Sequence, residues 1–281
     1  YSWGNGGNGR LGVGDLLDRG HATQVTTLPD EVAVRAVQCG ASHSMALMMN
    51  GDLYSWGKNT QGQCGIGHCE ENVLWPSQVK NLGTSDEKHN GIEIDSGLTH
   101  IVSQVAAGWE HSAALTSEGR VFMWGCGYKD SRRGVIPPVL GLGHNECRPA
   151  PQMISSLEGV TIEKITCGWD HCLALDDSGK LLSWGSGQNG KLGTGNEENV
   201  AIPTYVNSME GKRLVNISAG CEHSAAIGFD GLLYTWGHGD GGRLGHGDND
   251  QCVLPVPVVP LQMSGVRPFG IHCGDKFTVI L

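Results

Sequence analysis

The chain has 281 residues, 39% of them hydrophobic, and a formal net charge of −10. That size fits one large domain or two small ones. No apolar run approaches the roughly 18 residues of a membrane span, and the acidic balance argues against nonspecific DNA binding, which needs a basic face.

The sequence shows no signal peptide and starts at Tyr1 rather than Met, which points to a fragment. The first readable element is a strand ending at Trp3-Gly4, followed by the glycine string Gly4-Asn5-Gly6-Gly7-Asn8-Gly9 and then Leu11-Gly12. The string fits G-x-G-x-x-G, a dinucleotide-binding fingerprint that should open a helix. Here it runs into Leu11-Gly12-Val13-Gly14, and each glycine inside a helix would cost about 1 kcal/mol relative to alanine. The string also returns at Gly185–Gly190 and at Gly237–Gly242. Such recurrence makes it part of a repeat, so the glycines read as a loop between strands rather than a nucleotide site.

Three short apolar runs come next, Arg35–Cys39, Ser44–Met49 and Leu53–Trp56. The last two flank Asn50-Gly51, a tight hairpin turn. A further run starts at proline, as Pro76–Val79, Pro203–Val206 and Pro255–Val258. Proline at a strand start or a sheet edge marks this run as the outer strand. The order repeats: Ser112–Leu115 and Val121–Trp124 flank Glu118-Gly119, and Leu214–Ala219 leads to the hairpin at Asp230-Gly231. Several short strands per repeat, with no sustained helical period, describe a propeller blade.

The register of the repeat is strict. Trp-Gly occurs at Trp3, Trp56, Trp124, Trp184 and Trp236, and thirteen residues before the last four stand His43, His111, His171 and His223. Each His follows a Gly by three residues (Gly40, Gly108, Gly168, Gly220), and Leu-Gly follows Trp by eight, at Leu11, Leu192 and Leu244, with Cys64 in the same slot and the third copy delayed to Leu142. A last copy begins at Cys273-Gly274, with Phe277 in place of His. That Phe argues that the periodic His residues make a structural hydrogen bond within each blade rather than catalyse or bind metal, and the tryptophans read as core. Among the ten cysteines, Cys39, Cys167 and Cys273 share one slot with Ala107 and Ala219, so they read as small buried thiols. Cys64 and Cys69 have a metal-like look, but no paired C-x-x-C exists. Free thiols imply a reducing compartment.

The unit C-G-x-x-H-S, then Trp-Gly, then L-G-x-G, resembles the RCC1 repeat over essentially the whole chain. The resemblance implies an all-β fold, an RCC1-type β-propeller of four-stranded blades. About five blades are present, part of a seven-bladed ring. They form a single domain over residues 1–281, with blade insertions near 80–104 and 126–141. A closed five-bladed ring would need residues near Leu281 to pair with those near Tyr1.

Between Gly and His the copies differ: Ala41-Ser42, Trp109-Glu110, Trp169-Asp170, Cys221-Glu222 and Asp275-Lys276. Links this short put Glu110, Asp170 and Glu222 on one rim with Trp109 and Trp169. Aromatics among charges are what binding hot spots look like; the alternative is two tryptophans tucked against neighbouring blades. The insertion after Trp124-Gly125 carries Lys129, Arg132 and Arg133 before Pro137-Pro138, either a stiff basic partner contact or a solvated loop. Family resemblance bears on both. The Ran-type exchange factors carry a wedge inserted after a Trp-Gly and use acids in the Gly-x-x-His loops. The plant UV-B photoreceptors cluster Gly-Trp-x-His tryptophans with arginines, and here Glu110 and Asp170 stand where that pattern has Arg, so no cation–π partner occupies that slot.

The expected function is a protein–protein interaction scaffold, a module of a larger intracellular protein, cytoplasmic or nuclear. The alternative is a guanine-nucleotide exchange factor for a Ran-like small GTPase. The expected partner is a protein, with no nucleic acid and no membrane. No cofactor, no metal and no catalytic residue are expected, because no Ser-His-Asp or metal cluster stands out from the repeat.

Overall fold

The structure, a computed structural model, describes residues 1–69, 71–82, 101–127 and 136–281. Lys129, Arg132 and Arg133 lie outside the described residues, as do residues 83–100 of the first insertion and 128–135 of the second.

Chain order gives a strand pair, β1 (Ser2–Gly4) and β2 (Arg19–Thr23), then four sheets of four antiparallel strands. The first sheet is β3 (Val34–Cys39), β4 (His43–Met48), β5 (Leu53–Gly57) and β6 (Val73–Gln78). The second is β7 (Val102–Ala107), β8 (His111–Thr116), β9 (Val121–Gly125) and β10 (Arg148–Met153). The third is β11 (Ile162–Cys167), β12 (His171–Asp176), β13 (Leu181–Gly185) and β14 (Val200–Tyr205). The fourth is β15 (Leu214–Ala219), β16 (His223–Gly228), β17 (Leu233–Gly237) and β18 (Cys252–Pro257). A five-residue helix, α1 (Val259–Met263), and a final pair, β19 (Ile271–Cys273) and β20 (Thr278–Ile280), complete the order. Within each blade the strands pair in sequence order, as hairpin connections require.

The all-β propeller expected from the repeat is present. The end pairs, β1–β2 and β19–β20, are separate sheets, so a closed five-bladed ring is not formed among the described residues. One tryptophan departs from the core reading. Trp124, Trp184 and Trp236 are fully buried and Trp56 nearly so, but Trp3 is 65% exposed, because β1 has only β2 beside it.

The proline-bearing run is the outer strand, but it starts three residues earlier than the proline. Pro76, Pro203 and Pro255 sit inside β6, β14 and β18, on the edge of the sheet where a missing N–H goes unused. Hydrophobic residues fill the slots between neighbouring sheets. Met45, Leu47 and Leu53 pack against Val105, Phe122 and Trp124, and Leu115 and Met123 pack against Ile165 and Trp184.

The glycine strings form turns between the Trp-Gly strand and the outer strand, and no helix of more than one turn follows them. The L-G-x-G segment after each string reaches the next blade. Gly14, Gly67, Gly143 and Gly195 donate to the carbonyls of Leu74, Pro149, Ala201 and Val253 on the following outer strands, at 2.9–3.1 Å. This register corrects the third copy: Leu140-Gly141, not Leu142-Gly143, fills its Leu-Gly slot. Gly141 lies over Trp184 as Gly65 lies over Trp124, and the insertion pushes the chain out two residues less than the spacing implied.

At Gly65 the backbone has φ +71°, and an added Cβ would stand 2.5 Å from Trp124 Nε1. Gly65→Ala combines left-handed strain with overpacking, and it is expected to lose about 2 kcal/mol of stability in chemical denaturation.

Candidate functional site

The inner strands β3, β7, β11, β15 and β19 line a central channel, with a cavity of about 430 Å³ between them. Side chains stitch these strands together. Gln104 donates to the Ile165 carbonyl at 2.8 Å and accepts from Ile165 N–H at 3.2 Å, and the Ser218 hydroxyl accepts from Cys273 N–H at 2.8 Å.

At one end, the Gly-x-x-His loops surround the channel mouth. Ala41, Trp109, Trp169, Cys221 and Asp275 line a second cavity of about 360 Å³ there. A backbone belt joins the loops: Trp109 N–H donates to Trp169 O, Trp169 N–H to Gly220 O, and Cys221 N–H to Gly274 O, each at 3.2 Å. The rim inferred from sequence is therefore real. Trp109 and Trp169 stack, with centroids 4.0 Å apart and planes 17° apart. Trp109 is exposed and Trp169 half-buried.

The acids behave differently from the tryptophans. Glu110 is 8% exposed and forms an ion pair with Lys58 of the preceding blade at 2.6 Å. Asp170 pairs at 2.5 Å with Lys191, whose side chain is 1% exposed. Glu222 lies 3.9 Å from His238 Nδ1. Glu110 and Asp170 are thus held in blade packing, while the indoles face the mouth. The lysine partners were missed in the sequence, although Lys191 shares its slot, seven residues after Trp, with Arg10 and Arg243. Arg10 and Arg243 do related work, donating to the Ala41 and Asp275 carbonyls of the next loop at 3.2 and 3.3 Å.

The histidines are structural, but they bond between blades rather than within one. His43 Nε2 lies 2.8 Å from Ser112 Oγ, His171 Nε2 lies 2.8 Å from Ser224 Oγ, and His223 Nε2 lies 2.9 Å from Thr278 Oγ1. Each of these hydroxyls spends its hydrogen on a loop carbonyl, of Gln63, Lys191 or Arg243. The imidazole must then donate from Nε2, and burial, which disfavours the charged ring, keeps Nδ1 bare. Two of the same carbonyls also accept an indole N–H, Trp124 onto Gln63 and Trp236 onto Lys191. Burial pulls His43 down to about 3, with His111 nearby adding to the effect, and pulls His223 down to about 4.

The cysteines split. Cys126 and Cys147 are joined by a disulfide at the neck of the second insertion, which corrects the reading that all ten are thiols. The two Cα atoms stand only 4.4 Å apart there, a closeness set by the pairing of β9 with β10 that spacing could not reveal. Cys64 is a buried structural thiol, pushed up to about 12 by burial. Cys167 and Cys172 face each other across β11 and β12, with sulfurs 3.6 Å apart.

A ring of four-stranded antiparallel sheets, locked blade to blade by His–hydroxyl–carbonyl–indole relays, defines a β-propeller that offers one loop-lined mouth. The family model described as regulator of chromosome condensation (RCC1) repeat matches residues 1–47, 50–115, 138–175, 178–227 and 230–281. The chain belongs to the RCC1-repeat family. It is 34% identical over 281 residues to the ultraviolet-B receptor UVR8 of Arabidopsis thaliana, covering 99% of this chain and 57% of that protein. It is 30% identical over 278 residues to the E3 ubiquitin-protein ligase HERC2 of Homo sapiens, covering 98% of this chain and 5% of that one. The chain thus spans little more than half of one relative and a small part of the other. Among solved structures, human WBSCR16 matches with TM-score 0.76 and 23% identity, covering 98% of this chain and 65% of that chain. Prp20p of Saccharomyces cerevisiae matches with TM-score 0.55 and 20% identity, covering 89% and 69%. Both show the same fold. No helix among the described residues is long and apolar enough to cross a membrane.

Proposed function

We propose that this propeller is a protein-interaction scaffold that holds a protein partner at the channel mouth, through Trp109 and Trp169. One observation carries the reading: a stacked indole pair, anchored by the backbone belt, stands beside a cavity at the mouth, with Trp109 36% exposed. Rigid aromatics that are already ordered lose little entropy on binding, which is why they recur as hot spots. Glu222, half-buried on the same rim, and the basic Lys129, Arg132 and Arg133 belong to the wider surface proposed for the partner. The compartment proposed is intracellular.

The second reading is nucleotide exchange on a Ran-like GTPase. The structure of the neighbour Prp20p is described together with its binding to Gsp1p and histones, and that favours a small GTPase as one partner class. Against it, the acids this reading relies on, Glu110 and Asp170, are already engaged by Lys58 and Lys191. The ligase activity in the name of HERC2 is that of a protein of which this chain covers 5%.

Two measurements separate the readings. Release of a fluorescent GDP analogue from Ran is expected to stay at its intrinsic rate when this protein is added; acceleration would favour exchange. Trp109→Ala is expected to weaken capture of the scaffold's partner at least tenfold while the melting temperature changes little, since Trp109 is 36% exposed. Unchanged capture would remove Trp109 from the interface.

A further inference from the structure

One blade departs from its sisters in two slots at once. The residue after the repeat His is Ser44, Ser112, Ser224 or Thr278 elsewhere, but Cys172 in the third sheet. The residue before the repeat Gly is Cys39, Ala107, Ala219 or Cys273 elsewhere, and Cys167 in that same sheet. Only there do both slots hold cysteine, and the strand register sets them side by side. His111 of the preceding blade completes a trio. Its Nε2 lies 3.4 Å from Cys172 Sγ, the two sulfurs are 3.6 Å apart, and all three donor atoms fall within 4.8 Å of one another.

The imidazole of His111 is also turned relative to its sisters. A Cβ built on Gly40, Gly168 or Gly220 would meet Cε1 and Nδ1 of the His that follows; on Gly108 it would meet Cε1 and Nε2. The nitrogen that elsewhere serves a hydroxyl here lies on the glycine side, where Gly108 and Cys167 both border the mouth cavity. His111 and Cys172 are fully buried and Cys167 is 9% exposed.

We propose that His111, Cys167 and Cys172 form a three-donor site for a thiophilic divalent cation, zinc(II), with the fourth position open to water from the channel. Tetrahedral zinc, with bonds of about 2.3 Å to sulfur and about 2.05 Å to nitrogen, needs edges of about 3.8 Å between sulfurs and about 3.6 Å from nitrogen to sulfur. The observed 3.6 and 3.4 Å are shorter by about two tenths of an ångström, and the third edge, between His111 and Cys167, is within 4.8 Å, so side-chain rotation alone has to close the site. Binding forms two Zn–S bonds and one Zn–N bond and releases two thiol protons to solvent. The two thiolate charges then cancel the charge of the ion, which removes the penalty for burying either alone. Without the ion, Cys172 Sγ rests against the Val139 carbonyl at 3.7 Å, standing in for the serine of the other blades.

The sister blades supply the test variants, because the fold already tolerates serine in the slot of Cys172 and alanine in that of Cys167. The full chain, reduced with a phosphine and stripped with a chelator, is titrated with cobalt(II) and then zinc(II). The expected result is one equivalent of cobalt, with the visible d–d bands and near-ultraviolet charge transfer of a tetrahedral thiolate site, displaced by zinc. Cys172→Ser and Cys167→Ala are expected to keep the circular dichroism of the parent and lose those bands, with affinity for zinc falling at least a hundredfold. The proposal is overturned if no stoichiometric cobalt spectrum appears, if the spectrum survives Cys172→Ser, or if peptide mapping finds the two cysteines joined as a disulfide in the protein as purified.

Discussion

Asp170→Ala is expected to lower stability by about 3–5 kcal/mol, the range for stripping one partner from a buried ion pair. Lys191 is 1% exposed, and the Asp170 carboxylate 2.5 Å away is the anion paired with it. Its own carbonyl is bound by Trp236 and by Ser224, so the ammonium cannot swing to water without disturbing the junction with the fourth sheet. For a chain near this size each kcal/mol moves the melting temperature by roughly 2–4 °C, so a fall of about ten degrees is expected by scanning calorimetry. Two comparisons distinguish this from a general loss of packing. Glu110→Ala breaks the pair with Lys58, whose side chain is 29% exposed and can reach water, so about 1 kcal/mol is expected there. Asp170→Ala combined with Lys191→Gln removes the stranded charge and installs the residue that Gln63 already supplies in the same slot of another blade. It should recover most of the loss. If the double variant is as unstable as the single one, the ion pair is not the reason.

The Gly, His and Trp spacings define the blade because they are local: each reports a turn, a strand start or a core position within one repeat. The same pattern placed Trp109 and Trp169 on a common rim, since a two-residue link between strands has nowhere else to go. What lay hidden was every partner across a blade junction. Asp170 and Glu110 looked like free rim charges because Lys191 and Lys58 are 21 and 52 residues away, and sequence spacing says nothing about contacts between loops that the packing of sheets brings together. The pairing of Cys126 with Cys147 depends on the path of an insertion, and the pairing of Cys167 with Cys172 on strand register. The latter had a visible signal, Cys172 in a slot otherwise filled by Ser or Thr. His43, His171 and His223 are structural, as their periodic placement implies, yet their partner is the hydroxyl of the next blade rather than a group within their own.

Acid is expected to destabilise the protein from about pH 6.5 downward, above the range in which most carboxylates titrate, and the buried imidazoles are the cause. His43 titrates at about 3 in the folded chain, held neutral by burial and by the neighbouring His111. His223 titrates at about 4, lowered by burial and by Arg243, against a smaller upward pull from the Phe277 backbone and Asp275. In the unfolded chain both return to about 6.5. Between that value and the folded ones the unfolded state binds more protons, so stability rises with pH and is lost as pH falls. At pH 5 His43 and His223 each contribute a loss of about 2 kcal/mol relative to pH 8, and His171, held well below its usual range by burial and by Lys191, adds a loss of the same sign. The His223 contribution levels off below about pH 4 and the His43 contribution below about pH 3. The check is the free energy of unfolding in urea at pH 8, 6 and 5. His43→Phe places in that slot the residue Phe277 already occupies in the last copy, and it leaves the Ser112 hydroxyl still donating to Gln63. Its stability is expected to vary with pH less steeply than that of the parent between pH 6.5 and 5, by about the 2 kcal/mol that His43 supplies, while His171 and His223 keep the rest of the slope. An unchanged slope would mean that His43 carries its proton in the folded state, and that the His–hydroxyl relay is a charged contact rather than the neutral one that burial favours.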